Sequence, residues 1–325
     1  MSSEDVWGLF SALLKPASAE VAQLPAVQIP GRRGDYLAKT ASGEAAFLLR
    51  GARRSAIKPP LRLRHIEIDY GSKCRIAETS AMPIEGEFIA IRCTDVSHVV
   101  LELFVRTVDT LIATLPAEPS PTDAESLIAG LVELFRKLGQ PSGRTLKGLW
   151  AELFVIDRSN VSDRLMSAWH ANSTEKYDFV TRNGYLEVKA TEQPLRIHEF
   201  SIAQLRGPNS SNGFVVSMLL RRAAGGTGVM ELARRIALRL NDTALRAKVW
   251  SNVFEVVGNE MSDASDLSFD ERFAEHMIGV AHAQDVPCIE LPLPIGVLDV
   301  RVVVDLTPVV QTRNLGLSAI SQILT

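Results

Sequence analysis

The stretch KYDFVTRNGYLEVKA (residues 176–190) decides how the chain is read. At its centre Asn183-Gly184 predicts a two-residue type I′ turn, because both residues tolerate the positive φ such a turn requires. That turn sets Arg182 opposite Tyr185, Thr181 opposite Leu186, Val180 opposite Glu187 and Asp178 opposite Lys189. Side chains alternate along a strand, and directly paired residues share a face. One face therefore carries Asp178, Glu187 and Lys189, and the other Phe179, Leu186, Val188 and Thr181. Two acids and a lysine meet on one side of a hairpin whose other side can rest on a core.

Outward from the hairpin the order of elements becomes informative. TLKGLWAELFVIDR (145–158) has Leu149, Leu153 and Ile156 at helical spacing. LMSAWH (165–170) reads as a short strand, HEFSIAQLR (198–206) as a helix stopped by Gly207-Pro208, and GFVVSMLLRR (213–222) as a strand. The local order is thus helix, three strands, helix, strand. Further on, helices are expected at about 228–240, 242–250 and 269–283, before apolar runs at 288–295 and 297–306. The first third is β-rich, with AAFLLRG (45–51), LRLRHIEIDY (61–70) and GEFIAIRC (86–93) separated by turn residues. Helical spacing takes over from Asp95 to Leu115. AEPSPTD (117–123) is the best linker and caps a helix over about 124–138. The expected division is a β-rich N-terminal domain at 1–116 and a second domain at 117–325.

The 325 residues are 46% hydrophobic and 22% charged, the balance of a globular chain. No window is apolar enough for a transmembrane helix, and the N-terminus lacks a basic region before its apolar residues, so neither a membrane span nor a signal peptide is expected. Three cysteines without metal-type spacing suit a reducing cytoplasm and argue against zinc. The six histidines form no HxxxH or HExxH pair, so His170 and His198 are read as local hydrogen-bonding or surface residues. The net charge of −3 gives no global support for nucleic-acid binding. Residues 31–64 nevertheless hold nine Lys/Arg against Asp35 and Glu44. This stretch, with Arg32, Arg33, Arg53, Arg54 and Lys58, is either a track for a phosphate backbone or a solvated loop face.

GLWAEL (148–153), YDF (177–179) and EVK (187–189), followed by a helix containing Ser201 and Gln204, resemble the PD-(D/E)XK nucleases of the restriction-endonuclease-like fold. The wording of these motifs is similar to a bacterial PD-(D/E)XK family found beside restriction and phage-defence genes. The resemblance covers roughly residues 145–222 and implies a mixed α/β architecture with an αβββαβ core. It also implies that Asp178, Glu187 and the Val188 carbonyl hold Mg²⁺, with Mn²⁺ able to substitute, and that Glu152 reaches the ion directly or through water. Mg²⁺ takes one or two carboxylates together with waters and phosphate oxygens, which suits this donor set. Lys189 is placed to orient an attacking water or to stabilise a pentacovalent transition state. Gln204 either contacts the phosphate, holds a ligand, or is an exposed polar helix residue. Trp169 and Tyr185 are read as core and cross-strand residues, with base stacking as the alternative. Tyr177 stands where the superfamily motif has proline.

What this implies is a Mg²⁺-dependent endodeoxyribonuclease, the cleaving component of a restriction or phage-defence system. DNA is its expected partner, with companion ATPase or methyltransferase proteins and a homodimer that cuts both strands. The alternative is a DNA-binding or scaffolding subunit that kept the fold without cutting. The presence of Asp178, Glu187 and Lys189 together favours the first.

Overall fold

The computed structural model describes residues 5–16, 24–32, 34–50, 58–77, 83–137, 145–170, 176–206, 212–258, 260, 267–289, 295–297 and 300–320. It divides into two units: Met1–Pro141 with Asp242–Met261, and Ser142–Asn241 with Ser262–Thr325. The boundary expected at 116/117 is therefore not where the structure divides the chain. Residues 117–141 go with the first unit, as does a later excursion at 242–261.

The chain enters the first unit through α1 (Val6–Ala12), β1 (Leu24–Gln28), β2 (Tyr36–Lys39), β3 (Ala45–Arg50), β4 (Leu61–Arg62), β5 (Ile66–Ala77), β6 (Ile84–Cys93), α2 (His98–Ile112) and α3 (Pro121–Lys137). The strands lie in the order β1-β2-β3-β6-β5-β4, and β1 also pairs in parallel with the end of β5. The sheet so returns on itself around Ala26, Tyr36, Ala38, Ala46, Leu48, Ile76 and Phe88. Gly71, with φ 71°, lies where the β5 register slips between Asp69 and Ser72, a bend that a left-handed glycine permits. Ser120 and Asp123 cap each other's backbone N–H groups at the start of α3, so this helix begins three residues earlier than 124.

The second unit runs from α4 (Leu146–Arg158) through α5 (Ser162–Ala168), β7 (Phe179–Val180), β8 (Tyr185–Thr191), β9 (Ile197–Ser201), α6 (Ile202–Arg206), β10 (Gly213–Leu219) and β11 (Arg222–Gly228) to α7 (Val229–Arg239). After α8 (Thr243–Val257), which belongs to the first unit, it resumes with β12 (Ser268–Phe269), α9 (Glu271–His276), β13 (Ile278–His282), β14 (Arg301–Asp305) and α10 (Thr307–Arg313). Its main sheet has the order β13-β10-β8-β7, with β8 and β10 parallel and joined through α6. Trp169 adds a single antiparallel bridge to Phe179 beyond β7. Counting that bridge as a vestigial first strand gives the αβββαβ order: α4, Trp169, β7, β8, α6, β10. The architecture is mixed α/β, as expected.

Three expected elements are corrected. Most of LMSAWH is the end of α5, and only Trp169 at its foot pairs as a strand would. The expected helix at 198–206 is a strand followed by one short helical turn, and β9 pairs with β14 rather than with the main sheet. The expected helix at 269–283 is cut short: α9 ends at His276, and β13 completes the sheet edge. No helix among the described residues is long and apolar enough to cross a membrane, and Cys74, Cys93 and Cys288 are free thiols.

Candidate functional site

The hairpin forms, with a different turn. Observed pairs are Phe179 with Leu186 and Val180 with Tyr185, two residues out of the expected register. Thr181 is the reason: its Oγ1 accepts the N–H groups of Asn183 and Gly184, and its own N–H donates to the Gly184 carbonyl at 2.9 Å. A threonine-closed four-residue loop replaces the Asn-Gly turn, and Gly184 takes no positive φ. A slip by two residues keeps every side chain on its expected face. It moves Asp178 from opposite Lys189 to opposite Glu187.

β8 carries the centre of the site because it is an interior strand, flanked by β7 and β10. Glu187 is only 3% exposed. Its Oε1 accepts from Lys189 Nζ at 2.8 Å and from Gln204 Nε2 at 2.6 Å. Its Oε2 is buried without a hydrogen bond among the described residues. Asp178, part-buried, accepts the Val188 N–H on Oδ2 at 2.7 Å. It is thus the N–H of Val188 that orients this acid, whatever role its carbonyl takes. Lys189 is half-buried, with its ammonium 5.3 Å from the centre of the Phe200 ring.

Gln204 is held from both sides. Ser201 Oγ accepts the Gln204 N–H at 3.2 Å, and Gln204 Oε1 accepts the Ser201 N–H at 3.0 Å. This is a reciprocal capping box, S-x-x-Q, at the start of α6. With its oxygen engaged in the cap, the amide must present its nitrogen to Glu187. Gln204 therefore holds the Glu187 carboxylate and is not an exposed polar residue. Tyr185 donates to the Gln204 carbonyl at 2.6 Å and stacks on Tyr177 at 3.8 Å, a structural role.

Glu152 lies on α4, a helix buried from Leu149 to Asp157 and capped by Thr145 on the Gly148 N–H. It is 4% exposed, so it is no surface glutamate. Trp169 donates its indole N–H to Glu152 Oε2 at 2.6 Å, which fixes that carboxylate. His170 is not the surface residue that the sequence reading allowed. It is 5% exposed, its Nε2 lies 3.7 Å from Glu152 Oε2, and its N–H donates to the Asp178 carbonyl at 2.9 Å. One donor atom from each of Glu152, His170 and Asp178 lies within 4.8 Å of the other two. The available signal was pairing: a strand at Trp169 facing Phe179 sets His170 beside Asp178. His198, by contrast, is buried and bonded through Nε2 to Ser217 Oγ at 2.8 Å, and burial followed by the charge of Lys189 pushes its imidazole down to about 4.

Three acids share this small volume. Burial, and then the charges of Glu187 and Glu152, push the Asp178 carboxyl well above its ordinary range. Burial also raises Glu187, against the pull of Lys189. Crowded carboxylates with an unsatisfied buried oxygen are the donor set a divalent cation would neutralise, so the residues fit such an ion.

The basic stretch fares differently. Arg32 is corrected: it is 8% exposed, bound to Asp35 at 3.0 Å and to the carbonyls of Leu115 and Pro116, and so unavailable to a phosphate. Lys58 pairs with Glu125 at 2.6 Å. Arg33, Arg53 and Arg54 lie outside the described residues.

No curated protein and no solved structure matches the chain. Residues 9–307 match the family described as "Putative PD-(D/E)XK family member, (DUF4420)". With nearly its whole length matched, the chain belongs to this PD-(D/E)XK family.

Proposed function

We propose that the protein is a divalent-metal-dependent endodeoxyribonuclease, using Mg²⁺ with Mn²⁺ able to substitute, and that it cleaves DNA in a bacterial restriction or phage-defence system. The observation that carries this reading is the lopsided Glu187 carboxylate. One oxygen takes two donors and the other is buried with none, beside Asp178 and Glu152. Asp178, Glu187 and Glu152 would hold the ion. When bound, it supplies positive charge at the scissile phosphate and acidifies an attacking water.

The remaining work falls to the chain. Lys189, held by Glu187 and seated over Phe200, presents a positive charge where the attacking oxygen and the developing phosphorane charge would sit. Gln204 keeps Glu187 from rotating its free oxygen away from the site. A duplex has two strands to cut, so we infer a homodimer; a cytoplasmic location and companion ATPase or methyltransferase proteins belong to the same proposed defence role.

The test is incubation of the purified protein with plasmid DNA and Mg²⁺ or Mn²⁺, beside Asp178→Ala and Lys189→Ala. The wild-type protein is expected to nick or linearise the plasmid, and each variant to lose roughly 10²–10³-fold in rate. Cleavage that survives both substitutions removes the site assignment. Absence of cleavage with every DNA form and partner tried favours a non-cutting, DNA-binding or scaffolding subunit.

A further inference from the structure

We infer that His170 is a protein ligand of this site, and that its imidazole tunes the site toward a first-row transition ion such as Mn²⁺ over Mg²⁺. This rests on the metal-dependent reading above and goes beyond it by naming the ligand and the preference. The bridge from Trp169 to Phe179 fixes the backbone on either side of it, so His170 and Asp178 lie next to each other, joined by the His170 N–H. On the helix side, Glu152 Oε2 comes within 3.7 Å of His170 Nε2. Three donors from three separate segments so converge within 4.8 Å, two oxygen and one nitrogen.

A second observation is independent of that cluster. Glu187, on the same sheet face as Asp178, keeps a buried oxygen without a hydrogen bond among the described residues. Its negative charge acts directly on Asp178, so a cation held there would offset it as well. Trp169 already holds the Glu152 oxygen that faces His170, the kind of outer support that fixes a ligand's orientation. Mg²⁺ is a hard ion that takes oxygen donors and sheds water reluctantly, whereas imidazole suits the transition ions. One nitrogen in an otherwise oxygen site therefore shifts the preference without closing the site to Mg²⁺.

The experiment needs no DNA. The full-length protein is titrated with Mn²⁺ and with Mg²⁺ by calorimetry, and its Mn²⁺ form is examined by pulsed electron paramagnetic resonance. The expected result is nitrogen modulation from a directly bound imidazole, altered by ¹⁵N-histidine labelling, with Mn²⁺ binding at least roughly tenfold tighter than Mg²⁺. His170→Gln is expected to abolish the modulation and weaken Mn²⁺ binding roughly 10–100-fold, while changing Mg²⁺ binding by less than about threefold. The wild-type spectrum stands without the variant, should His170→Gln not fold. Mn²⁺ binding that is lost in Asp178→Ala, yet shows no imidazole nitrogen in the wild-type protein, overturns the His170 assignment and leaves the metal-dependent reading intact. No binding of either ion overturns both.

Discussion

Glu187 shows how one carboxylate's environment is arranged by neighbours on two different elements. Both donors on its Oε1 come from fixed places, Lys189 two positions along the same strand and Gln204 locked into the cap of α6. Removing the amide frees the carboxylate to turn and gives up about 1 kcal/mol of helix capping. Gln204→Ala is therefore expected to lower the single-turnover cleavage rate roughly 10–100-fold, while the melting temperature falls by only a few degrees. Gln204→Glu, which sets a carboxylate against Glu187, is expected to lose more. A rate unchanged in both variants would show that Glu187 needs no outside support. At this scale Asp178, Glu187, Lys189 and Glu152 were legible because their residue types and order match a family motif. His170 was not, since its partners lie at 152 and 178 and no local spacing announces them. Arg32 misled for a related reason: a run of basic residues records charge, and says nothing of Asp35 or the carbonyls of Leu115 and Pro116 that absorb it.

Elements show where local rules prevail and where neighbours override them. Helices with long periodic faces, such as α2, α4 and α7, were readable because 3.6-residue spacing accumulates over several turns. The six residues at 165–170 are too few for periodicity to separate a strand from the last turn of a helix. The hairpin was readable as a hairpin and misread in its register, because Thr181 offered the loop N–H groups a side-chain oxygen that competes with the Asn-Gly turn. Gly184 is required for another reason than turn geometry. A Cβ there would lie 2.1 Å from the backbone oxygen of Asn212, just before β10, and backbone cannot step aside as a flexible side chain can. Gly184→Ala is expected to destabilise by about 1–3 kcal/mol through forced separation of β8 and β10. The same change at Gly130, exposed on α3 with nothing within 4 Å, is expected to stabilise by up to about 1 kcal/mol. Urea unfolding of the two variants gives opposite shifts in midpoint if this holds, and equal shifts would defeat it.

For the molecule as a whole, the unit boundary matters more than any single element. Every residue assigned to the site, from Glu152 to Gln204, falls within Ser142–Asn241, whereas α3 and α8 build the first unit. Phe104 on α2 meets Phe135 of α3 at 6.1 Å, Phe135 meets Phe254 of α8 at 4.6 Å, and Arg106 lies over Trp250. A linker-like composition at 117–123 could not disclose this, because the chain leaves the second unit for α8 more than a hundred residues later and then returns. A fragment of residues 117–325 would carry the apolar faces of α3 and α8 without α2, which packs against both. It is expected to aggregate or to unfold without a cooperative transition. A fragment of residues 142–325 in which 242–261 is replaced by about 15 Gly/Ser residues has a different prospect. Such a linker spans on the order of 20 Å, similar to the length of the 15-residue helix it replaces. It leaves the main sheet, α4 and α7 complete. This fragment is expected to unfold cooperatively and to bind Mn²⁺ with the affinity of the whole chain, as measured by denaturant titration and calorimetry. If 117–325 folds and the spliced fragment does not, then α8 is part of what holds the site together, and the division into these two units fails.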